Sequence, residues 1–130
     1  MIPREGPAEA PRFEAGQTWR YRTRALEPQS RLTILQVDGA TAHVHLRGIR
    51  LRTSSGRRVE SIFLPIAVKV LARSVVALEP RRDRAFAALR EEWLAHHDTR
   101  GRGHVTVEPR RFLAMFDQMS YVESEDGSVC

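Results

Sequence analysis

"TAHVHLRGIRLR" (Thr41–Arg52) decides the fold. Its apolar positions are even at Ala42, Val44 and Leu46, then odd at Ile49 and Leu51, and Gly48 stands where the phase changes. A period of two marks a strand with one buried face, and a bulge at the glycine keeps both apolar sets on that face. His43, His45, Arg47, Arg50 and Arg52 are then expected to point outward.

The flanking segments repeat the pattern. "TWRYRTRA", residues 18–25, places Trp19, Tyr21, Thr23 and Ala25 on one side and Thr18, Arg20, Arg22 and Arg24 on the other. It predicts a half-buried strand over residues 17–25 with Trp19 and Tyr21 as core anchors. "RLTILQVD" is a second strand with apolar residues in both phases, which suits a central position. Asp38 and Gly39 signal a tight hairpin into the third strand. "VESIFL" adds a fourth strand that should end before Pro65.

Beyond Pro65 the period lengthens. Ala67, Leu71, Val75 and Leu78 recur at helical spacing with Pro65 suited to the first helical position, although the frequent valines leave a strand open there. Asp83 can cap a helix whose apolar stripe is Phe86, Leu89 and Trp93. Gly101 and Gly103 end it, "HVTV" reads as a short strand, and Pro109 opens a last helix striped by Phe112, Phe116 and Met119. Strands first and helices later predict an α+β fold, a mainly antiparallel sheet of 4–5 strands with about three helices packed on one face. Residues 1–16, rich in Pro and Gly, are expected to be a flexible leader, residues 17–119 one domain, and residues 120–130 an acidic disordered tail.

Within this pattern Gly16, Gln17, Trp19, Tyr21, Arg22, Thr23 and Arg24, followed by a Leu-Thr-Ile segment, resemble a group of small bacterial proteins of undetermined function with the pattern Gly-Gln-x-Trp-x-Tyr-Arg-Thr-Arg. The resemblance would span residues 15–119. It implies a bacterial source and a stand-alone domain, and it assigns no activity.

At 130 residues the chain has room for one self-sufficient core. No apolar run approaches the ~20 residues of a membrane span and no signal peptide is evident, so a cytoplasmic protein is expected. Cys130 is the only cysteine, which leaves no internal disulfide and no cysteine-based metal cluster. The net charge of +5 is uneven: residues 17–58 hold nine arginines against Glu27 and Asp38. Lys69 is the only lysine, a bias that a GC-rich genome produces by itself, but arginine remains able to fork onto carboxylates and phosphates.

Side chains two apart on a strand are roughly 6.5 to 7 Å apart, so Arg20, Arg22 and Arg24 would form a positive stripe, widened by His43, His45, Arg47, Arg50 and Arg52. The bland explanation is an ordinary solvated sheet face. The functional one is a non-enzymatic interaction protein that docks an acidic protein partner, for instance an immunity or antitoxin-like inhibitor covering a toxin or effector. Arg20, Arg22, Arg24 and Arg47 would carry most of it, and reversal of Arg22 and Arg24 to Glu should abolish capture with little change in Tm. An RNA or single-stranded DNA binding module is the alternative, weakened because Trp19 and Tyr21 face the core instead of offering bases a stacking platform. A metal-dependent enzyme comes third: His43 and His45 have ligand spacing, and His96, Asp98 or His104 would have to join them. The glycine-rich residues 100–103 lack the lysine and threonine of a phosphate loop. No catalytic residue, resident metal or cofactor is expected.

Overall fold

The computed structural model describes residues 12–52, 56–82, 84–96 and 103–116. Five strands, β1 (Thr18–Tyr21), β2 (Arg31–Asp38), β3 (Thr41–Arg52), β4 (Arg58–Ala67) and β5 (Val75–Leu78), form one antiparallel sheet in the order β4-β3-β2-β1-β5. Three helices accompany it: α1 (Val68–Ser74), α2 (Phe86–His96) and α3 over residues 109–116. The α+β class follows the sequence pattern.

Asp38 pairs with Thr41 across a two-residue turn, and Gly39 takes a φ of +59° there, a conformation costly to a side chain with a Cβ. The phase change in β3 is a bulge, as its pattern predicts. Arg47 pairs with Ser61 and Leu51 with Val59, so Gly48, Ile49 and Arg50 stand opposite Glu60 alone. Gly48 has a φ of +73°. Ile49 and Leu51 thereby rejoin Val44 and Leu46 in the core.

That core lies on the face carrying Leu32, Ile34, Val44, Leu46, Leu64 and Ile66, with Trp19 and Tyr21 from β1 beside them. Val70 and Leu71 of α1 and Leu113 of α3 close it. Each large apolar side chain taken out of water contributes about 1.5–3 kcal/mol, so these residues supply the main driving force for the fold. Phe13 packs edge-on to Trp19 at 5.5 Å between ring centres, and Gly16 N–H donates to the Ile34 carbonyl. Residues 12–16 of the expected leader therefore join the fold, whereas residues 1–11 and 117–130, the acidic tail among them, lie outside the described residues.

The stretch after Pro65 departs from a single long helix. β4 runs through Pro65 to Ala67, α1 spans only seven residues, and β5 follows at once. Pro65 sits in an edge strand, where its missing N–H breaks no inner ladder and its carbonyl accepts from Val105 N–H. Val75 and Val76, β-branched, leave the helix for an extended strand in which Val75 pairs with Tyr21 of β1. The expected strand at "HVTV" is reduced to one parallel bridge between Val105 and Ile66.

Gly48→Ala should cost about 1–2 kcal/mol, because alanine pays for a left-handed backbone. Its Cβ would also stand 3.2 Å from the Ser30 Cα, backbone that cannot swing aside. A lower urea midpoint at unchanged m-value is the expected readout, and an unaltered midpoint would contradict it.

Candidate functional site

The bulge that keeps the core on one face also breaks the ladder between β3 and β4, and backbone groups that lose ladder partners must find others. The turn over residues 27–30 supplies them. Glu27 Oε2 accepts from Arg50 N–H at 2.7 Å, and Ser30 Oγ donates to the Arg47 carbonyl at 2.7 Å. Ser30 Oγ also meets the Tyr21 hydroxyl at 2.6 Å. Desolvation pushes the Tyr21 phenol up to about 12, so it stays a neutral hydrogen-bonding group.

Glu27 has a fully buried side chain and is neutralised by Arg24, whose Nε lies 2.6 Å from Oε1 and whose Nη2 lies 3.2 Å from Oε2. Arg24 Nη2 also donates to the Arg50 carbonyl. Arg24 thus leaves the expected docking row. β1 ends at Tyr21, so the alternation that would have turned Arg24 outward stops before reaching it. Reversing its charge would set a carboxylate against buried Glu27 and destabilise the fold, contrary to the expectation of an unchanged Tm.

His43 and His45 are corrections too. Both are buried where strand alternation has them exposed. The His43 ring lies 4.9 Å from the Trp93 ring of α2, and Arg90 of the same helix donates to Gln36, the cross-strand partner of His43. The sheet face opposite the core is therefore covered at this end, a tertiary placement that strand alternation does not encode. His45 lies against Phe63 at 4.9 Å. His104 is away from the pair, with Nδ1 2.6 Å from the Thr41 hydroxyl, and residues 97–98 lie outside the described ones. Among the described residues no three His, Cys, Asp or Glu side chains converge as metal ligands.

His43 Nε2 stands 3.3 Å from Asp38 Oδ2, yet burial outweighs that carboxylate and holds its pKa below the ordinary 6.5. The unfolded chain then takes up the proton first, so His43 should make stability fall as pH drops below 6.5 toward the native pKa and leave it flat above. His43→Phe is expected to flatten that acid slope in denaturant titrations across the window. An equally steep slope in the variant would be the contrary result.

Arg47, Arg50 and Arg52 do come together. With Arg58 they line an open groove of about 870 Å³ at the bulge, in which His45 reaches the floor and Gln29 and Ser61 add polar groups. The alternation that marks Arg47, Arg50 and Arg52 does not extend to Arg58. Its signal was the hairpin register, which sets it directly opposite Arg52. Among the described lining residues Glu60 is the one carboxylate. Arg20 and Arg22 are exposed but do not line this groove, and the Arg22 N–H donates to Ser74 at the β5 side of the sheet. The sequence-level row is thus split in two.

No family model matches this chain, nor does any curated protein or solved structure. Its chemistry rests on its own residues. No helix among the described residues is long and apolar enough to cross a membrane.

Proposed function

We propose that the chain is a non-enzymatic interaction protein that docks an acidic protein partner in the groove lined by Arg47, Arg50, Arg52 and Arg58. One observation carries the reading: four guanidinium groups gather at a single concavity against one glutamate. Guanidinium pairs with carboxylates in a forked geometry, and such charge-assisted pairs are stronger than neutral hydrogen bonds. Glu27 and Ser30 fix the backbone at Arg50 and Arg47, so the groove is built before a partner arrives. Preorganisation of that kind lowers the entropy lost on association. A small inhibitor that masks an effector would be one form of such a protein.

The nucleic-acid alternative finds less here. Trp19, Tyr21 and Trp93 are all buried, so no tryptophan or tyrosine of the described residues offers a stacking platform.

Arg50→Ser/Arg58→Ser should weaken capture of the acidic partner roughly ten-fold or more while leaving Tm nearly unchanged, since both side chains are exposed. Arg22→Ser should retain capture. Comparing these variants as immobilised bait, with the captured species quantified, checks this. Equal loss in the Arg22 variant, or full capture by the double variant, would defeat the assignment.

A further inference from the structure

A second, smaller hollow of about 420 Å³ opens beside the groove, lined by Thr18, Glu79 and the arginines of the segment that leads into α2. Arg47 lines both. It stands as a common wall, with Arg50 and Arg58 on one side and Arg81 and Arg84 on the other, all four exposed. In the second hollow the carboxylate of Glu79 is partly engaged by Arg31 at 3.5 Å, and Arg82 is held by the Ala15 carbonyl at 2.6 Å and by Glu14 at 3.7 Å. Among the described residues the walls of both hollows therefore present more cationic than anionic groups.

We infer that the partner offers an extended peptide segment with two acidic clusters that straddle Arg47, one seated in each hollow. This rests on the docking reading of the groove and adds the form of the ligand. Carboxylates on alternate residues of an extended chain lie roughly 6.5 to 7 Å apart, a spacing that sets them on either side of a single arginine side chain. Once the first cluster binds, the second binds within the same complex, so the two add at high effective concentration. A nucleic acid would also bring regularly spaced anions, but its bases would meet no exposed tryptophan or tyrosine among the described residues.

The test uses fluorescein-labelled synthetic peptides and the full chain, read by anisotropy at low salt. One peptide carries two Glu pairs separated by one glycine, which sets the inner carboxylates on alternate residues, two others carry one pair each, and a twelve-residue oligothymidylate is the nucleic-acid probe. The two-cluster peptide should bind at least about ten-fold tighter than either half. Arg47→Ala should abolish most of that advantage, as should Arg50→Ser/Arg58→Ser and, separately, Arg81→Ser/Arg84→Ser. If the two-cluster peptide binds no tighter than a half while the Arg50/Arg58 variant still loses binding, the straddling is refuted and the groove stands. If no acidic peptide binds any form, the docking reading falls with it. Tighter binding of the oligothymidylate than of the two-cluster peptide would overturn the choice of partner.

Discussion

Trp19→Ala is expected to lose about 3–5 kcal/mol of stability, the range for emptying a buried tryptophan site. Trp19 is 9% exposed, packs against Phe13 and donates its indole N–H to Gln17 Oε1 at 3.0 Å. It sits on the four-residue β1, which bridges β2 and β5 in the sheet. A cavity there removes the larger of the two side chains, Trp19 and Tyr21, that fasten the shortest inner strand to the core. Because a domain of this size is stable by only about 5–15 kcal/mol, Tm should drop by about 10–20 °C. Trp19→Phe, which keeps much of the apolar contact, should fall well short of that. Denaturant and thermal unfolding of the pair measure it, and an alanine variant within 1 kcal/mol of the parent on the order of surface substitutions would mean that Trp19 is not a core anchor.

Glu27→Ala should be nearly as damaging, at about 2–4 kcal/mol, because it removes the buried carboxylate that balances the Arg24 charge and accepts from the Arg50 N–H. The loss has a functional side as well. Arg50 and Arg47 are bulge residues whose backbone is tied to the 27–30 turn, so the groove should lose its shape before the core melts. Glu27→Gln keeps an oxygen for Arg50 N–H and removes only the charge, and its cost should fall between parent and alanine. Hydrogen exchange at the Arg50 amide separates the two effects: fast exchange in the alanine variant and retained protection in the glutamine variant are expected. Protection that survives in Glu27→Ala would show that the carboxylate does not hold the bulge.

These two side chains mark what local pattern can and cannot convey. The burial of Trp19 and Tyr21, the bulge at Gly48 and the Asp38–Gly39 hairpin were all legible, because a period of two, a phase slip and a glycine in a tight turn are strictly local constraints. The shared position of Arg47, Arg50 and Arg52 followed from the same strand. What alternation missed was set by elements distant in sequence. His43 and His45 occupy the outward phase of β3, but α2 brings Trp93 onto His43, and β4 sets Phe63 against His45. Alternation misplaces Arg24 for another reason, since β1 ends three residues earlier and Glu27, an ordinary loop acid by sequence, goes inside with it. Pro65 looked like a helix start because an edge strand and a first helical turn tolerate its missing N–H equally well.

The groove itself is most directly examined through its arginine side chains. With arginine Nε labelled by nitrogen-15, titration of the chain with a short glutamate-rich peptide should shift the Nε–H resonances of Arg50, Arg52 and Arg58 together and saturably. Arg22 and Arg73, exposed elsewhere on the surface, should stay in place. Shifts of equal size at Arg22 and Arg73, or no saturable shift at the groove arginines, would contradict a docking site at the bulge.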